Sequence, residues 1–167
     1  MNSNIKNSLV FVVFLLLQIF IFNKINLFGY LNPYPYLFFI LLYPVNNNKS
    51  VLLISSFTLG IILDMFANSG GIHALASVVL AYFRPNLFKF AFGVSYEYNT
   101  VKFADKISPE RITLLLLTIF IHHFILFFFE FFRVDLIVTI ILRTLLNTLI
   151  TFLFSILILY LIKPNKK

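Results

Sequence analysis

Cysteine is missing from all 167 residues. That removes disulfides, thiolate metal sites and cysteine nucleophiles together, and leaves redox chemistry silent about the compartment. Charge is scarce as well: Asp, Glu, Lys and Arg make up 11% of the chain, against roughly a quarter in globular domains. With 60% hydrophobic residues, the chain cannot supply the polar surface of a soluble domain. Tryptophan is absent beside 23 phenylalanines, a skew that reads as coding bias more than chemistry. Gly70-Gly71 is followed by neither Gly-x-x-Gly nor Gly-Lys-Ser/Thr, which excludes a phosphate cradle. His-x-x-x-His spacing is absent, and the adjacent His122 and His123 diverge by about 100° on a helix, so no metal or other cofactor is expected. No nucleophile stands at a telling distance from a base and an orienting acid, so an enzyme is not expected.

What is present is a string of apolar runs. Helices of about 20 residues leave room for five or six spans and short loops, an all-α polytopic membrane protein with one integral domain over 1–167. Residues 8–22 form the first span, an uncleaved signal anchor with Gln18 as a helix–helix hydrogen-bonding group. Residues 36–45 lie between Pro35 and Pro44, too short for an ordinary crossing and suited to a broken or re-entrant helix. Tyr30, Tyr34, Tyr36 and Tyr43 are expected as interfacial anchors. A helical hairpin spans 51–85, a loop spans about 86–111, and two further spans cover 112–132 and 136–162. The start of the loop, around Lys89, reads as an amphipathic segment on the membrane surface, and Ser108-Pro109 as the opening of the next helix.

The net charge of +7 reports orientation and contact with anionic lipid, not nucleic acid. With six spans and the N-terminus inside, Lys6, Lys49, Arg84, Lys89, Lys102, Lys106, Arg111, Lys163, Lys166 and Lys167 lie on the inner side, against Lys24 and Arg133 outside. Five spans with a re-entrant segment exchange Lys6 and Lys24 and score the same. Both arrangements put the 68–71 turn outside and the C-terminus in the cytoplasm.

The costly residues are the ionisable ones near the hairpin turn, because unpaired charge in hydrocarbon is expensive. Ser56, Gly60 and Asp64 recur every four residues on the first helix, as do His73, Ser77 and Ala81 on the second. Small residues at that spacing let two membrane helices approach closely, and Asn68-Ser69-Gly70-Gly71 reverses the chain between them. Arg143 and Asn147 head a polar stripe on the last helix, continued by Thr144, Thr148, Thr151 and Ser155, and Glu130 lies at the outer end of the fifth span. Asp64, Glu130, Arg143 and Asn147 are thereby expected to share the outer half of the membrane and to pair. Two readings stand for this cluster, an ionic lock that sets helix neighbours and an outward-opening pocket that grips a small ligand or a partner's helix; the lock is preferred because no ligand-specific motif accompanies it.

Gly60-x-x-x-Asp64-Met-Phe-Ala-Asn-Ser-Gly-Gly-Ile-His73-Ala-Leu-Ala-Ser77, followed by Ala81-Tyr-Phe-Arg-Pro85, resembles the signature of the rod shape-determining protein MreD family, particularly its shorter Bacteroidetes-like versions. The chain length, the segment Asn32-Pro33-Tyr34-Pro35-Tyr36 and the basic C-terminal tail fit too. The resemblance implies six spans in the inner membrane and a non-catalytic scaffold of the elongation machinery. It implies binding to MreC, and through it to MreB, RodA and penicillin-binding protein 2. MreD-like chains are also similar in span pattern to the substrate-binding subunits of energy-coupling-factor vitamin transporters, which makes a vitamin-binding subunit the alternative. A membrane enzyme acting on a lipid-linked sugar would need convergent carboxylates or an Arg-rich outer loop, whereas the outer turn holds only Asn, Ser and Gly.

Overall fold

The computed structural model describes residues 3–45, 47–93 and 108–162; the expected loop charges at 97, 102, 105 and 106 and the tail at 163–167 lie outside them. The described residues form helices α1 (Ser3–Phe20), α2 (Leu37–Leu42), α3 (Lys49–Ala67), α4 (Ile72–Phe92), α5 (Pro109–Phe131) and α6 (Ile137–Ile162). Short 3-10 turns at Phe22–Lys24 and Val134–Leu136 follow α1 and precede α6. Among the described residues there is no strand, only one antiparallel bridge between Leu27 and Leu31.

Four stretches are long and apolar enough to cross a membrane: Ile5–Lys24, Lys49–Ala67, Pro109–Phe131 and Val134–Leu161. α4, at 21 residues, matches its neighbours in length, but His73, Arg84, Asn86 and Lys89 make it less apolar. It packs most extensively against α3 and α5, while α6 packs on α5. Apolar residues repeat along the outside of α6 at Leu145, Leu149, Leu153 and Leu157, the face a lipid-contacting helix presents.

The centre is the stretch 31–43. Its first half is irregular backbone ending in a turn at Pro35-Tyr36 and its second half is α2, and Tyr36 through Leu41 are all at most 2% exposed. A six-residue helix that is apolar all round must be surrounded, and α1 and α4 supply much of that surround. Gln18 donates to the Pro33 carbonyl, Phe14 stacks on Phe38 at 5.6 Å and Phe11 meets Phe39 edge-on at 5.2 Å, so α1 runs antiparallel to this stretch. Tyr36 packs near His73 and the Tyr43 carbonyl is reached by Arg84, so the stretch runs parallel to α4.

Two expectations change here. Tyr34, Tyr36 and Tyr43 are core residues, not interfacial anchors, because the stretch 31–43 carries them between the helices; Tyr30 alone of the four is exposed. The hairpin's second helix also does not stop at Arg84-Pro85. Proline lacks one helix donor yet α4 continues seven residues beyond it to Phe92, so residues 86–92 are helix and not surface loop. α5 begins at Pro109, with Ser108 in extended backbone before it but without a side-chain cap bond.

Candidate functional site

Asp64 stands in the last turn of α3, where the chain must turn back. Asn68 ends the helix in the left-handed conformation at φ 53°, and Ser69 N–H donates to the Asp64 carbonyl at 3.2 Å, the six-to-one bond of a Schellman ending. Gly71, at φ 97°, then precedes α4; having no side chain, it cannot cap that helix. Asp64 caps it instead. Its carboxylate accepts the His73 N–H at Oδ1 and the Ala74 N–H at Oδ2, both at 2.9 Å, which satisfies two of the four donors a helix start leaves open. The negative charge also meets the positive end of the α4 dipole.

Ser69 donates its hydroxyl to Asp64 Oδ1 at 2.5 Å. His73 Nδ1 lies 3.1 Å from the same oxygen and 3.0 Å from Ser69 Oγ. With the Ser69 proton given to Asp64, the imidazole faces two acceptors and carries its own proton on Nδ1. Asp64 is 4% exposed and His73 7%, so the structure joins these two candidates in a buried, fully engaged turn.

The small-residue faces do what their spacing suggests. Gly60 lies against the start of α4: a methyl built on it would sit 2.6 Å from Ala74 N and 2.7 Å from the His73 carbonyl carbon, and closer still to Ala74 Cα. Only glycine permits that approach. Ser56, Ser77 and Ala81 are buried along the same helices, at most 4% exposed.

Below the turn lies a cluster of rings from different parts of the chain. Tyr34 packs against His73 and His123 at 5.7 and 5.2 Å, and Tyr36 against His73 and His122 at 6.2 and 5.4 Å. Tyr36 hydroxyl and His122 Nε2 are hydrogen bonded at 2.6 Å. The backbone N–H of Tyr34 donates to Thr151 Oγ1 at 3.2 Å, Thr151 pairs with His123 Nε2 at 3.3 Å, and His123 Nδ1 donates to the Ile119 carbonyl at 2.7 Å. Because a carbonyl only accepts, Nδ1 is the protonated nitrogen of His123 and Thr151 donates to Nε2. The two adjacent histidines therefore serve different neighbours, with rings 5.6 Å apart and crossed at 87°. Among the described residues, no group of three or more His, Asp or Glu side chains converges on a point that could hold a metal.

The expected ionic cluster is assembled only in part: Glu130 lies within charge–charge reach of Arg143, and Asn147 bonds the Arg143 carbonyl, but among the described residues no ion pair closes between Glu130 and Arg143 and Asp64 stands apart. Asp64 is engaged by its own turn, and among the described residues no ion pair joins it to Glu130 or Arg143. The Arg143 guanidinium lies over the rings of Tyr30 and Phe131, at 5.1 and 5.7 Å from their centroids. Asn147 is fully buried and holds the incoming chain: its Oδ1 accepts the Asn32 N–H at 2.9 Å while its Nδ2 donates to the Arg143 carbonyl. A polar stripe on α6 does face protein, but the partner is irregular backbone and not an acid.

Arg84, expected at the inner end of the 51–85 hairpin, is a residue of more consequence than its place in the sequence suggests. Arg84 is 6% exposed, stacks over Phe88 at 4.6 Å, and donates to the carbonyls of Leu41, at 3.3 Å, and Tyr43. It thereby satisfies carbonyls at the C-terminal end of α2, and its positive charge suits that end of the helix dipole. The available signal was its distance from the turn: eleven residues past His73 puts it about 16 Å down the helix, on the side of Ser77 and Ala81.

Comparison with protein families, with curated proteins and with solved structures returns no match for this chain.

Proposed function

We propose that this protein is a six-span scaffold of the bacterial inner membrane, related to MreD, that acts by holding partner membrane proteins together and not by catalysis. The observation that carries the reading is the turn centred on Asp64. Within the stretch that resembles MreD, Asp64 is committed to the start of α4, Ser69 and His73 to Asp64, and Gly60 to helix contact. Such a lock supports a rigid body that presents its outer faces. Against a vitamin-binding subunit stands the filled centre, where Tyr34, Tyr36 and the α2 residues occupy the space between the helices.

Six crossings are supported by the alternation of direction, with the 31–43 stretch antiparallel to α1 and parallel to α4. In this reading both termini are cytoplasmic. MreC is the direct partner, with MreB, RodA and penicillin-binding protein 2 reached through it. Affinity purification of the tagged protein in mild detergent, with mass spectrometry of bound proteins and extracted small molecules, tests this. Stoichiometric MreC with no bound vitamin is the expected result. Recovery of an ATPase pair with a membrane coupling subunit, or of a tightly held vitamin, overturns it.

A further inference from the structure

At the end of the bundle that carries the Asp64 turn, two opposite charges stand near each other without pairing. Arg143 is half-buried, and its guanidinium is held over the rings of Tyr30 and Phe131 at 5.1 and 5.7 Å from their centroids. The rings fix the group in place but accept none of its N–H donors in the plane of the fork. Among the described residues no hydrogen bond or ion pair engages that guanidinium. Glu130, the last residue but one of α5, is exposed, and its carboxylate is likewise unbonded among the described residues although it lies within charge–charge reach of Arg143.

The level is that of lipid headgroups. Glu130 and Phe131 close a helix long and apolar enough to cross the membrane, so the carboxylate, and the guanidinium beside Phe131, stand at the membrane–water interface. Leu146 and Leu153, both exposed, continue down α6 on the flank beside Arg143, an apolar lane reaching about 15 Å below it. Two open charges of opposite sign are matched by a molecule that carries both. A phosphate accepts paired N–H bonds from a guanidinium, and a primary ammonium donates to a carboxylate. A purely anionic headgroup would suit Arg143 but meet the like charge of Glu130, and a choline headgroup has no N–H to donate.

We propose that Arg143 and Glu130 together hold a zwitterionic phospholipid with a primary ammonium, phosphatidylethanolamine, its phosphate on Arg143, its ammonium on Glu130 and an acyl chain along Leu146 and Leu153. The site requires only that α5 and α6 span the membrane and does not depend on which proteins the chain binds.

The test uses the purified full-length protein, stripped of lipid and offered equimolar phosphatidylethanolamine, phosphatidylcholine and phosphatidylglycerol with the same acyl chains, with retained lipid counted by native mass spectrometry. Phosphatidylethanolamine is expected to be retained above the other two. Glu130→Gln, a change at an exposed position, is expected to lower its preference over phosphatidylcholine roughly five-fold, the worth of one charge at a membrane surface, and to raise retention of phosphatidylglycerol. Arg143→Gln is expected to lower retention of every lipid. Melting temperatures at the wild-type value establish that the variants fold, and the lipid ranking in Glu130→Gln decides the matter even where Arg143→Gln does not accumulate. Equal retention of the lipids by the wild type, phosphatidylglycerol retained above phosphatidylethanolamine, or a ranking unchanged by Glu130→Gln overturns the site. Complete displacement of phosphatidylethanolamine by millimolar glycerophosphoethanolamine, which has the headgroup without the chains, overturns the lipid assignment.

Discussion

Asp64 and Arg84 are the two buried side chains of fixed charge among the described residues, and each serves the end of a helix to which it does not belong. Asp64, in α3, accepts from the first N–H groups of α4; Arg84, in α4, donates to carbonyls at the end of α2. The electrostatics are mirror images, an anion at a helix N-terminus and a cation at a helix C-terminus. Their reach along the chain differs. The Asp64 partners are nine and ten residues away, whereas the Arg84 partners are 43 and 41 residues away. One charge finishes a local turn and the other joins distant parts of the bundle, so removing each should harm the protein differently.

Arg84→Met should cost the most. Two buried carbonyls lose their donor at about 1–3 kcal/mol each, so a loss of about 3 kcal/mol is expected, read as a lower melting temperature in detergent or failure to accumulate. Arg84→Lys should recover part of it; a methionine variant as stable as wild type would mean that the carbonyls find other donors. Asp64→Leu should cost about 2 kcal/mol, the upper range for a lost cap, with Asp64→Asn retaining roughly half through its remaining amide oxygen. If the leucine variant proved more harmful than Arg84→Met in the same denaturant series, the ranking of local and distant locks would be reversed. Gly60→Ala should cost about 1–3 kcal/mol by overpacking, because the methyl collides with α4 backbone and the hairpin must open. Normal stability of that variant would show the helices are not as close as described. Tyr36→Phe should cost only about 1 kcal/mol, the usual worth of a hydrogen bond within a membrane bundle, and His122→Ala combined with it should add less than His122→Ala alone.

This contrast also separates what was legible in the sequence from what was not. Asp64 and His73 lie on either side of a four-residue turn, so helix spacing alone brings them together. Four helices long and apolar enough to cross a membrane follow from the apolar runs, and the brackets Pro35 and Pro44 announce a short helix between them. Long-range partners carry no such signal. Nothing in the order of residues sets Asn147 against the backbone of Asn32, or Arg143 over Tyr30 in place of Glu130. Tyrosine has both an apolar ring and a polar tip, so Tyr34 and Tyr36 suit an interface and a core equally until the surrounding helices are known. Arg-Pro usually ends a helix, and the continuation of α4 to Phe92 reflects tertiary packing, with Phe88 buried at 1%.

The irregular entry at 31–36 bears on how the chain is made. Its N–H groups at Asn32 and Tyr34 are satisfied by side chains 115 and 117 residues later, on α6. Bare backbone donors are costly in hydrocarbon, so the 31–36 segment is expected to settle only once α6 is present. Because the chain has no cysteine of its own, a single Pro33→Cys substitution reports this directly: a nascent chain stopped before residue 137 should react with a water-soluble maleimide, and the completed chain should not. Reaction blocked equally in both would mean that the segment inserts unaided. The expected order of assembly therefore differs from the order of the chain, with α6 closing a gap left open more than a hundred residues earlier.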